Sequence, residues 1–177
     1  MKRHLVTGAA LFMAAVSLAP AWAENGEKRF DSQESAFLRD AAQSDVFEER
    51  MGEYAANHAA LDDVKQLGRQ MVADHHADLK TIEQLASEHG LDLMKHDADL
   101  SPQQKETYDK LSSLHGVAFD KEYTKLELSV HNRQISEYQR ERDLAADPAV
   151  RDYAAKMLPT LEEHKKMADE AEKKAWS

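Results

Sequence analysis

The sequence predicts an all-α protein: a ferritin-like four-helix bundle, with a long crossover containing a short helix between the second and third long helices. Three observations carry that expectation. Four long stretches repeat their apolar residues at spacings of three and four, the period of one helical face. No stretch alternates apolar and polar residues as a half-buried strand does. Two of the three connections are short, whereas residues 91–116 form a long one, as in two antiparallel helix pairs joined by a crossover. An up-down-up-down bundle with an unstructured 91–116 loop is the competing arrangement, and the length of that connection favours the crossover.

The 177-residue chain opens with a segment that reads as separate from the bundle. Lys2 and Arg3 precede an uncharged, mostly apolar run from Leu5 to Ala19, and Ala21-Trp22-Ala23 places small residues for cleavage before Glu24. Residues 1–23 are thus expected to be a signal peptide and the mature protein to be periplasmic. An uncleaved anchor would call for about 20 apolar residues. Residues 24–30 are polar and are expected to be disordered, with the bundle occupying 31–177. Losing Lys2 and Arg3 takes the formal charge from −10 to −12. Such an acidic chain is poorly suited to nucleic acid or anionic membrane surfaces, and no membrane insertion is expected after cleavage. The charge suits cationic ligands, metal ions included, and leaves a protein partner and the oligomeric state open. The sequence has no cysteine, which excludes disulfides, thiolate metal sites, iron–sulfur clusters, cysteine nucleophiles and a lipid anchor.

The first long helix should run from about Ser32 to Asn57, capped by Asp31 or Ser32 with Glu34 in support. Phe37, Ala41, Ser44, Glu48, Met51 and Ala55 mark its inner face, and Gly52 within it costs about 1 kcal/mol relative to alanine. A turn near 58–61 leads to the second, Asp62 to Glu88, with Val64, Gly68, Met71, His75, Asp78 and Ile82 on its seam and Gly90 as the stop. Ser101-Pro102 caps and starts the short crossover helix, which ends near Gly116. The third long helix should span Val117 to Ala145. Its face drifts from Phe119, Tyr123, Leu126 and Val130 to Leu128, His131, Ile135 and Tyr138. Asp147-Pro148 then opens the fourth, seamed by Val150, Ala154, Met157, Leu161, His164, Ala168 and Ala171. Pro159 inside it should kink the helix or remove one hydrogen bond.

Each long helix carries a polar residue near mid-length where an apolar one belongs: Glu48, His75, His131 with Glu127 one turn before it, and His164. Counting from the turns puts His131 and His164 at one height. Glu48 is displaced from His75 by five residues, roughly 7.5 Å at the usual rise, and Ser44 is nearer in height. Unpaired groups of this kind in a bundle core cost several kcal/mol, so they must pair, bind metal or reach water. Histidine and carboxylate from facing helices suit iron, zinc, manganese or copper. The candidate metal ligands are therefore His75, His131 and His164 through nitrogen, with Glu48 or Glu127 through oxygen. The alternative is a metal-free structural, stress or interaction protein with a hydrogen-bonded core, for example His75 to Tyr123 or Glu48 to His164. His58, His76, His89, His96 and His115 read as surface residues, and Asp74 as a support for the site.

Val72-Ala73-Asp74-His75, the run Gly116-Val117-Ala118-Phe119-Asp120-Lys121-Glu122-Tyr123 with His131 eight residues on, and Leu158-Pro159-Thr160-Leu161-Glu162-Glu163-His164 together resemble the exported bacterial proteins grouped as domain-of-unknown-function family 4142. The resemblance implies a ferritin-like fold and carries over His75, His131 and His164 as motif positions. It implies no activity, and its outer-membrane label is accompanied here by neither barrel strands nor a lipid anchor. Di-iron ferritin sites use Glu-x-x-His on two helices. Val72 and Leu161 stand where those glutamates would be, so no oxidase chemistry is carried over and no catalytic residue is assigned.

Overall fold

A computed structural model of the protein describes residues 29–93 and 100–177, so the expected signal peptide and His96 lie outside the described residues. The described chain is helical, with no strand. Its helices are α1 (Ser32–His58), α2 (Asp62–Glu88), α3 (Pro102–Ser112), α4 (Val117–Leu144) and α5 (Pro148–Ala175). None of the described helices is long and apolar enough to cross a membrane.

Local chemistry sets the ends of these helices. Asp31 accepts from the amides of Gln33 and Glu34, and Glu34 returns the bond, closing a capping box at α1. Ser101 and Gln104 do the same at α3, and Asp147 caps α5 with Pro148 in its first turn. At the end of α2, Gly90 takes φ +63°. Its amide donates to the Ser87 carbonyl at 3.3 Å while the Leu91 amide donates to Ala86 at 2.8 Å, the paired bonds of a Schellman stop. The α2 start has no side-chain cap of its own. Asp120 from α4 supplies one, accepting from the amides of Ala60 at 3.0 Å and Leu61 at 2.8 Å. Reciprocally, Glu34 from α1 accepts from the Asp147 amide at 2.6 Å. Each helix pair thus caps the turn of the other.

The most extensive contacts join α1 to α2 and α4 to α5. Gln33 and Ser44 meet Glu141 and Gln134, so α1 and α4 are antiparallel. Asp63 and Asp74 meet Lys174 and His164, so α2 and α5 are antiparallel as well. It follows that α2 and α4 point the same way, and the 91–116 segment carries the chain back along the bundle. Helix α3 lies over α1 on that return, with Gln104 donating to the Gln43 carbonyl and the Tyr54 hydroxyl to Ser112. At the far end Lys121 and Lys125 sit over the Trp176 ring and tie the end of α5 to the start of α4.

Two sequence expectations change. Phe30, placed in the disordered lead-in, stacks on His89 with ring centroids 4.1 Å apart and joins the core. The inner face of α4 is also the polar one: Asp120, Thr124, Glu127, His131 and Gln134 are buried, while Leu126, Leu128 and Ile135 are half-exposed. Helix α5 continues through Pro159, which faces solvent together with Ala155. Water can therefore serve the carbonyl that proline leaves without a donor.

Gly52 and Gly68 have a use that propensity alone does not reveal. A Cβ on Gly68 would lie 2.6 Å from the Gly52 carbonyl oxygen, and one on Gly52 would lie 2.7 Å from that of Gly68. The α1 and α2 backbones touch there. Helix propensity predicts that Gly68→Ala gains about 1 kcal/mol; contact with rigid backbone predicts a loss of about 1–3 kcal/mol instead. Urea unfolding of the variant should show the loss, and a gain would refute the close-approach role.

Candidate metal centre

The apolar core is in two parts. One gathers Phe37, Leu38, Ile82, Tyr138, Val150 and Leu161, and the other Met51, Val64, Leu67, Met71, Phe119 and Tyr123. Between them lies a polar layer containing Asp45 and Glu48 from α1, His75 and Asp78 from α2, Glu127, His131 and Gln134 from α4, and His164 from α5, all buried. The layer holds four carboxyl groups, and no lysine or arginine is buried among the described residues.

The three histidines meet. Ring centroids are 5.2 Å apart for His131–His164, 5.3 Å for His75–His164 and 6.1 Å for His75–His131. One ring nitrogen from each lies within 4.8 Å of the others, an arrangement that could hold a metal ion. Each ring also has one nitrogen anchored to oxygen. His75 Nδ1 is 2.7 Å from Asp45 Oδ1, His131 Nδ1 is 2.8 Å from the Glu127 carbonyl, and His164 Nε2 is 2.8 Å from Asp74 Oδ2.

Two of these anchors decide tautomers. A carbonyl only accepts, so His131 donates from Nδ1 and presents a lone pair at Nε2. Burial pushes Asp74 up, but its bonds to Gln70 and His164 outweigh this and hold it below its ordinary range. It therefore accepts from His164 Nε2, which leaves a lone pair on His164 Nδ1. The two lone pairs face each other, with His131 Nε2 3.2 Å from His164 Nδ1. A proton between them is opposed by the surroundings. Burial, then the neighbouring histidines, pushes His131 down to about 3. Burial and His75 push His164 down to about 4, against the pull of Asp74. His75 Nε2 has no hydrogen-bond partner.

Glu48 and Glu127 adjoin the histidines without joining that cluster. Both are fully buried and act on one another; burial raises Glu127 well above its usual range and raises Glu48 too. Neither example pairing of the metal-free alternative forms: His75 bonds Asp45 and not Tyr123, and His164 bonds Asp74 and not Glu48. Ser44, the alternative to Glu48 by height, is half-exposed and accepts from Gln134. Asp45, its neighbour, is the residue that sequence reasoning missed. It lies off the Phe37–Ala41–Ser44 line, on a second buried stripe with Leu38 and Ala42 that exists because α1 is covered on two sides. Counting from the turn thus pointed one residue short of Asp45, at Ser44. Of the other histidines, His58, His76 and His115 are exposed.

With these positions in view, the comparison with protein families is decisive. The model of a domain of unknown function, DUF4142, matches residues 19–171. The chain belongs to the DUF4142 family. No curated protein and no solved structure matches it. The DUF4142 match spans α1 through most of α5, so all four layer-forming helices lie within the family's common region.

On the far side of Asp45, a buried chain runs from Asp78 through Tyr153 to Tyr138, with Tyr153 donating to Asp78 at 2.9 Å and the two hydroxyls 3.0 Å apart. Burial, then the charge of Asp45, pushes Asp78 up to about 7. A carboxyl raised in the fold destabilises only above its unfolded value, and the cost is complete above the folded one. Asp78→Asn keeps an acceptor for Tyr153 and removes the charge. Its stability relative to the native protein should grow between pH 5 and pH 8 by roughly 2–4 kcal/mol, measured by urea unfolding at both values. An unchanged difference would show that Asp78 does not titrate in this window.

Proposed function

We propose that this DUF4142 protein is an exported, ferritin-like helical bundle that holds a transition-metal ion on His75, His131 and His164. One observation carries the reading: His131 and His164 aim lone pairs at each other across 3.2 Å. Two nitrogens bound to one ion at 2.0–2.1 Å in tetrahedral geometry lie about 3.3 Å apart. His75 Nε2 closes the triad with a shift of roughly 1–1.5 Å, judged against the same spacing and the 4.8 Å limit. Anchoring each imidazole to an oxygen through its other nitrogen is how proteins orient metal-binding histidines. A cation also supplies charge that four buried carboxyl groups otherwise lack.

The three imidazoles would hold the ion, and Asp45, Asp74 and the Glu127 carbonyl would fix their orientation. Glu48, whose charge acts on His75, lies beside the triad and outside its nitrogen cluster. Such an ion, whether iron, zinc, manganese or copper, would supply Lewis acidity or, for iron and copper, one-electron chemistry. The parallel course of α2 and α4 supports the ferritin-like assignment, and the signal-like residues 1–23 support export to the periplasm.

The metal-free alternative draws on the same anchors, since each imidazole already has one satisfied nitrogen. Elemental analysis of the purified protein, repeated after incubation of the apoprotein with each candidate metal, separates the two. About one ion per chain is expected, and its loss in His75→Ala and His164→Ala. No bound metal under any of these conditions would leave the hydrogen-bonded network as the reading.

A further inference from the structure

Beside the imidazoles, the layer contains a second set of polar atoms that meet only one another. Glu48 and Glu127 face one another with no solvent exposure, and their carboxyl oxygens have no hydrogen-bond partner beyond each other and the Tyr123 hydroxyl. Tyr123, one turn before Glu127, is equally buried, and its hydroxyl has no partner beyond the Glu127 carboxyl. The guanidinium that acts on Glu48 belongs to Arg133, which is exposed. Buried polar atoms so poorly served destabilise the fold, and an ionised carboxylate does so more.

The position of these oxygens separates them from the nitrogen cluster. Glu127 Oε2 lies 3.5 Å from Nδ1 of His131, whereas Nε2 of the same ring faces His164. Oxygens and nitrogens thus occupy different edges of the His131 ring, as two neighbouring sites would. Two carboxylates and a phenol form an oxygen-rich set, which suits manganese(II) or iron(II) better than the nitrogen triad does. A surface crevice of about 190 Å³ beneath α3 has Glu48, Gln104 and Arg133 in its lining and brings solvent to the outer side of the layer.

We propose that the bundle centre takes two divalent cations, the second bound by the carboxylates of Glu48 and Glu127 with the Tyr123 hydroxyl at its edge. This rests on the single-ion reading and extends it. The carboxylates bind the second ion in ionised form, so loading displaces any proton they share.

Equilibrium dialysis of the chelator-stripped protein against cobalt(II) and against manganese(II), with elemental analysis, counts the sites. Visible absorption of the cobalt form reports the nitrogen site separately. The native protein should take up two ions per chain. Glu48→Gln and Glu127→Gln should each take up one and keep the cobalt absorption of the nitrogen site, while His164→Ala should lose that absorption. Far-UV circular dichroism checks that the variants fold. Saturation of the native protein at one ion overturns this inference and leaves the single-ion reading standing; binding of none overturns both. Two ions retained in the folded glutamine variants would also overturn it. Should neither variant fold, the native stoichiometry decides alone.

Discussion

The structure depends on a polar layer cut through the middle of an apolar core. Its cost is high, because imidazoles and carboxyl groups lose water there and, among the described residues, no buried lysine or arginine offsets the acids. The surroundings meet that cost in stages. Asp45, Asp74 and the Glu127 carbonyl each satisfy one imidazole nitrogen, and the Tyr153–Asp78 bond satisfies part of a carboxyl. What stays poorly satisfied is concentrated where the four long helices converge: Nε2 of His75, the carboxyl oxygens of Glu48 and Glu127, and the Tyr123 hydroxyl. A set so rich in acceptors invites a cation or protons.

The rest of the bundle holds that layer in register. The two hairpins are built alike, with helices of 27 and 27 residues in one and 28 and 28 in the other. Each sends a buried carboxylate from its first helix to the turn of its partner, Glu34 to Asp147 and Asp120 to Leu61. Because the turns lie at opposite ends, these clamps fix both ends of the bundle, and the polar layer sits between them. The Gly52–Gly68 contact fixes the spacing of α1 and α2, and hence the placement of Asp45 against His75.

Much of this was legible in the sequence. Helix limits were clear because Asp31, Gly90, Ser101 and Asp147 are strong punctuation with local causes. His75 and His164 were legible because each interrupts an otherwise regular apolar seam. The equal height of His131 and His164 followed from counting residues to the turn between them. Asp45 was not legible, because periodicity finds one stripe and α1 buries two. The inner face of α4 was only partly legible for a related reason: Phe119, Tyr123, Val130, His131 and Tyr138 of the expected seam are buried, but Asp120, Thr124, Glu127, Gln134 and Glu141 share that face, where hydrophobicity does not point. Asp74 was legible as a support for the site, but its pairing with His164 and that of Asp45 with His75 depend on side-chain direction across helices, which no local pattern encodes.

The layer is divided between the hairpins. Asp45, Glu48, His75 and Asp74 come from the first, and Glu127, His131 and His164 from the second. Neither half has the full set, and the crossover separates them in the chain. In folding terms, each hairpin can form from local contacts, but the central layer exists only after the halves dock with the clamps engaged. A cation captured there would therefore act late, recognising the docked state and slowing its separation. An ion of this kind would be less a nucleus for folding than a latch on its last step.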